Sequence, residues 1–88
     1  MSLQEEFNQH AEKVNKLTQA TNEDLLILYG LFKQANFGDV NTARPGIFDP
    51  KGRAKWDSWK SYEGKSKDDA MTEYITKAKQ MLEANGIA

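Results

Sequence analysis

The sequence predicts an all-α fold of four helices. Apolar residues recur at three- and four-residue spacing in four separate stretches, and no stretch alternates apolar and polar residues as a strand would. Glycine, proline and asparagine cluster between the stretches, leaving two short connections and one long one. Helices joined in this way pack as a bundle. At 88 residues the chain is expected to form one domain spanning 1–88, with a thin core.

Leu3, Phe7, Ala11 and Val14 set the register of a first helix over about 3–16. Thr21 or Asn22 can cap a second, with Glu23 and Asp24 suiting its positive end. This helix is expected to reach Ala35 or Asn36. The stretch FGDVNTARPGIFDP follows, punctuated by Gly38, Asn41, Pro45, Gly46 and Pro50. It reads as an ordered loop anchored by Val40, Ile47 and Phe48. Asp49 then caps a third helix over about 50–61, with Pro50 at its first position. Ser66 and Asp69 make a capping-box pattern for a fourth helix carrying Met71, Tyr74, Ile75, Ala78 and Leu82. Asn85-Gly86 suits a left-handed stop.

The totals remove several functions. Twelve basic residues against thirteen acidic ones give a net charge of −1, without the basic excess of a general nucleic-acid binder. With no cysteine and one histidine, a thiolate nucleophile, a disulfide framework and a Cys- or His-rich metal site are excluded. His10 reads as a solvated helical side chain with no nucleophile beside it, and Asp68-Asp69 as a helix N-terminus. A Gly-rich phosphate loop between strand and helix is absent, so no catalytic residue is assigned. The opening MSLQEEFNQH is acidic and lacks the apolar run of a signal peptide. The expectation is a soluble protein of the cytoplasm, without cofactor or metal.

The second helix carries more apolar surface than one stripe needs: Leu25, Leu26, Ile27, Leu28, Tyr29, Leu31 and Phe32. Two readings account for it, a central helix covered on several sides or a face left for an apolar ligand or partner. Tyr29 and Lys33 lie one turn apart on one face, where a hydroxyl and an ammonium could grip phosphate. Between residues 44 and 67 seven basic residues stand against three acidic ones, a local positive field around Trp56, Trp59 and Tyr62. With the two tryptophans three apart, one can be core while the other edges a groove. Together these features suit a ligand with an anionic, aromatic end and a long apolar one. A second reading is an interaction module, with the apolar helix on a partner or a membrane and the basic helix attracting acidic lipid.

The run YGLFKQANFGDVNTARPGIFDPKGRAKWDSW, with EEFNQHAEKVNKL before it and SKDDAMTEYITKAKQMLEANGI after it, strongly resembles the acyl-CoA-binding protein family over essentially the whole chain. The resemblance implies an up-down-down-up bundle and a monomeric carrier that binds medium- to long-chain acyl-CoA thioesters one-to-one without altering them. It implies that Tyr29, Lys33 and Lys55 hold the 3′-phosphate and that Tyr74 lies near the adenine or ribose. It also places Trp56 beside the bound ligand, Leu25 against the acyl chain and Ala11 against the adenine end. Transient contact with membranes or with acyl-CoA-using enzymes is the expectation for delivery. Phe32 replaces a tyrosine found in many members, and Asn15 and Ala20 replace lysines of some, so auxiliary polar contacts there are missing.

Overall fold

A computed structural model describes residues 1–86. It contains four helices in up-down-down-up order: α1 (Leu3–Val14), α2 (Asn22–Phe37), α3 (Pro50–Ser61) and α4 (Lys67–Ala84). Among the described residues there is no strand.

Each helix starts on a side-chain cap that satisfies a free backbone N–H. Ser2 accepts from Glu5 N–H, Thr21 from Asp24, Asp49 from Gly52 and Ser66 from Asp69, all at 3.0–3.1 Å. α1 is two residues shorter than its periodicity suggests. Lys16 N–H bonds to the Lys13 carbonyl and Leu17 N–H to Val14, so the chain winds more tightly there. That turn brings Leu17 onto the core. α2 runs past the expected end to Phe37 and stops at Gly38, whose φ of 77° suits glycine. α4 ends as expected, with Gly86 at φ 73°.

The core is built mainly by α1, α2 and α4, from Phe7, Val14, Leu28, Leu31, Ala35, Ala70, Met71, Tyr74, Ile75, Ala78, Met81 and Leu82. α4 packs against both α1 and α2. The backbones of α1 and α2 stay apart, with the Phe7 ring lying against Phe32 across the gap at 5.8 Å. α3 packs on α2 alone and buries one side chain, Trp59. The pairs Leu26–Ser58 and Gly30–Tyr62 show α2 and α3 running in the same direction, which the long connection permits.

Two expectations fail. His10 is buried, and its Nδ1 meets the Glu6 carbonyl at 2.8 Å one turn back. It falls on the same face as Phe7 and Val14, so helical register places it inside. Ile47 and Phe48 do not anchor the loop: they are 70% and 95% exposed. Polar contacts hold that segment instead. Trp56 Nε1 donates to the Thr42 carbonyl, Trp59 Nε1 to that of Gly38, and Arg44 forks onto Asp57. Asp39 accepts from Gln34 and from Gly64 N–H, while Gln34, wholly buried, also donates to the Lys65 carbonyl. These bonds hold the Asp39 carboxyl below its ordinary range, the Gly64 N–H first and Gln34 second.

Gly30 explains why the apolar run of α2 is interrupted. A methyl group there would clash with Ser58 Oγ and would meet Tyr62 at 2.7 Å and the Ser58 backbone at 2.8 Å. Side chains could yield, but the backbone of α3 would have to move. Gly30→Ala is expected to destabilise the fold by about 1–3 kcal/mol, as overpacking does. Urea unfolding followed by circular dichroism measures this, and an unchanged midpoint would show that α2 and α3 are not in tight contact.

Candidate ligand-binding site

The unusual apolar surface of α2 divides into a buried and an open part. Leu28, Leu31 and Ala35 face the core, Leu26, Ile27 and Tyr29 are half-buried, and Leu25 stays 48% exposed. The open part lies between two grooves. The larger, about 580 Å³, runs between α2 and α3 and is lined by Asn22, Leu25, Leu26 and Tyr29 of α2 and by Pro50, Lys51, Ala54 and Lys55 of α3. The smaller, about 280 Å³, lies where α1 and α2 part above α4, among Ala11, Val14, Asn15, Leu25, Leu28, Tyr29, Phe32 and Tyr74. Leu25 and Tyr29 belong to both, so one ridge of α2 separates the two spaces.

Cations gather on this ridge. Lys55 Nζ lies 5.3 Å from the centroid of the Tyr29 ring and Lys33 Nζ 5.8 Å from the same centroid. Lys33 also stands over Phe37 at 4.7 Å and Trp59 at 5.6 Å. Three other cations of the basic stretch are compensated: Arg44 pairs with Asp57, Lys60 with Glu63 and Lys65 with Glu73, whereas Arg53 and Lys67 have no such pair among the described residues. Among the described residues, Lys33, Lys51 and Lys55 have no carboxylate within ion-pair distance. An ammonium resting on a ring gains about 0.5–1 kcal/mol at an exposed site. A charge-assisted hydrogen bond contributes about 1.5–3 kcal/mol, so an incoming phosphate would outcompete the rings.

Of the seven residues singled out in the sequence, Tyr29, Lys55 and Leu25 line the large groove, and Ala11, Leu25, Tyr29 and Tyr74 the small one. Lys33 lines neither and reaches Tyr29 from the Phe37 side. Trp56 is turned to the loop by its bond to Thr42 rather than into a groove. Asn22, Leu26, Pro50, Lys51 and Ala54 complete the large groove and were not among the site residues singled out in the sequence. The one-turn spacing of Pro50 and Ala54 was a usable signal for a shared face. Among the described residues no group of acids and histidines could hold a metal ion, and no helix is long and apolar enough to cross a membrane.

Fold and site together define a small helical ligand-binding protein with an apolar trough beside unpaired ammonium groups. The family model described as acyl CoA binding protein matches residues 4–78. The chain is similar to acyl-CoA-binding domain-containing protein 6 of Arabidopsis thaliana, at 67% identity over 84 residues, covering 94% of this chain and 91% of that one. It is also similar to the acyl-CoA-binding protein of Brassica napus, at 66% identity, covering 96% and 92%. The crystal structure of Oryza sativa acyl-CoA-binding protein 2 superposes with a TM-score of 0.92 at 59% identity, over 96% of this chain and 92% of that one. The chain belongs to the acyl-CoA-binding protein family, whose members bind and carry their ligand rather than transform it.

Tyr74 gives the small groove a measurable signature. Its ring sits edge-on to Phe7 at 4.8 Å, and burial pushes its phenol up to about 12. A folded-state value above the ordinary one of about 10 makes the neutral phenol stabilising below about pH 10. That contribution is lost as pH rises through about 12. Ultraviolet titration is expected to show one phenol ionising near 12 that disappears in Tyr74→Phe. Loss in Tyr74→Phe of a phenol ionising near the ordinary value of about 10 would instead place Tyr74 in water.

Proposed function

We propose that the chain acts as one acyl-CoA-binding domain that takes a medium- to long-chain acyl-CoA non-covalently and hands it on unchanged. The observation that carries this reading is the convergence of two uncompensated ammonium groups on the Tyr29 ring, on the ridge between an apolar trough and a smaller aromatic groove. In it, Lys33, Lys55 and the Tyr29 hydroxyl grip the 3′-phosphate. The acyl chain follows Leu25, Leu26 and Ala54 along the large groove, and the adenine end enters the small groove beside Ala11 and Tyr74. Trp56 supports this arrangement from behind, by holding the loop whose end carries Pro50 to the groove rim.

The division of labour follows from magnitudes. Each buried methylene contributes roughly 0.8 kcal/mol, so the chain supplies much of the affinity. The phosphate contacts fix orientation, and only they are screened as salt rises. Neither free fatty acid nor free CoA can use both parts. The proposal includes a monomer in the cytoplasm that meets membranes or acyl-CoA-using enzymes transiently.

Isothermal titration calorimetry tests it. Palmitoyl-CoA is expected to bind far more tightly than CoA or palmitate, and equal affinity for palmitate and palmitoyl-CoA would overturn the reading. Lys33→Ala is expected to weaken palmitoyl-CoA binding by roughly tenfold or more, the loss of one charge-assisted contact. Its stability should fall by no more than about 1 kcal/mol, the loss of its contact with the rings, since Lys33 makes no ion pair and lies outside the core.

A further inference from the structure

The most exposed large apolar side chain of the described structure is Phe48, at 95%, and Ile47 beside it is 70% exposed. They are not the loose end of a floppy segment. Asp49 N–H donates to the Gly46 carbonyl at 3.0 Å and closes a tight turn with Ile47 and Phe48 at its two central positions. Arg44 is clamped on Asp57 just before this turn, and Asp49 caps α3 just after it. A turn fixed on both sides presents two apolar side chains outward with little flexibility left to lose on binding.

The charge around the tip has one dominant sign. From Val40 to Asp57 the chain carries Arg44, Lys51, Arg53 and Lys55 against Asp49 and Asp57, and Asp57 is taken up by Arg44, which leaves Lys51, Arg53 and Lys55 as the surplus. The Asp49 carboxylate is turned inward to the Gly52 N–H. Lys51 is exposed and has no carboxylate partner among the described residues. Pro50 and Lys51, just beyond the tip in the chain, line the large groove.

We propose that the Ile47–Phe48 turn is a membrane-insertion tip that seats the mouth of the α2–α3 groove on an anionic lipid surface. An aromatic and an aliphatic side chain flanked by basic ones match the apolar-interior, anionic-headgroup order of a bilayer leaflet. Two side chains give a shallow, reversible attachment, and the basic residues add to it where acidic lipid is present. The groove then opens at headgroup level, so a long acyl chain passes between bilayer and protein without crossing water. That delivery role rests on the acyl-CoA reading; the docking itself does not.

The test uses the full chain with vesicles of phosphatidylserine mixed with phosphatidylcholine, and vesicles of phosphatidylcholine alone, in a sedimentation assay. The parent is expected to partition onto the mixed vesicles and to be released by high salt. The double variant Ile47→Ser, Phe48→Ser is expected to lose this partitioning by roughly tenfold or more. Circular dichroism and palmitoyl-CoA affinity of the variant should match the parent, because neither side chain is in the core or lines a groove. Equal partitioning of parent and variant, or equal binding to neutral and anionic vesicles, would overturn the proposal. So would a concentration-dependent dimer in sedimentation velocity that the variant abolishes, since the tip would then be covered by a second copy. If the parent docks on vesicles but fails to bind palmitoyl-CoA in water, the docking stands and the ligand reading falls.

Discussion

The close approach of α2 and α3 at Gly30 is the constraint on which the ligand site depends. α3 gives one side chain to the interior and touches no helix except α2. It would drift if its hold on α2 were loose. The missing side chain at Gly30 lets the Ser58 backbone come within contact distance, and Ser58 donates to the Leu26 carbonyl at the same place. Trp59 adds a second tether through Gly38. With α3 pinned along this stretch, its N-terminal half diverges from α2 and leaves the space bounded by Leu25, Leu26, Pro50 and Ala54.

A complementary separation operates on the other side of α2. α4 supports α1 and α2 at once, so the two need not pack on each other. The Phe7, Phe32 and Tyr74 rings fill the gap only in part. The ridge of α2 that carries Leu25 and Tyr29 is consequently exposed from two sides, which an ordinary four-helix bundle would not allow. Its apolar excess in the sequence has both proposed origins: Leu28 and Leu31 serve the core, while Leu25 serves the grooves.

Helices and caps were legible in the sequence because local rules govern them. Periodicity marked the interior faces, and Thr21, Asp49-Pro50, Ser66 and Gly86 marked the ends. The long loop was not legible, because its order comes from partners distant in the chain. Trp56 to Thr42, Arg44 to Asp57 and Asp39 to Gly64 span 14, 13 and 25 residues. Apolar character suggested Ile47 and Phe48 as its anchors, yet the tryptophan N–H groups hold it. His10 was misjudged for a related reason. Its polarity outweighed its register, although it lies on a buried helical stripe and finds a backbone carbonyl there. At the site, the meeting of Tyr29 with Lys33 followed from spacing along one helix. That of Tyr29 with Lys55 required the packing of two helices, which only the family resemblance could supply.

That α3 gives one side chain to the interior and is otherwise tethered by contacts and hydrogen bonds has a consequence for motion. Hydrophobic burial in α1, α2 and α4 does not involve this helix, so its departure leaves the interior of the molecule intact. Such a segment can detach at a fraction of the global unfolding free energy and exchange its amide hydrogens ahead of the rest. The wall of the trough can thus open while its base stays packed. A bulky hydrocarbon can come and go by lifting one side of its container, at a rate decoupled from the lifetime of the fold.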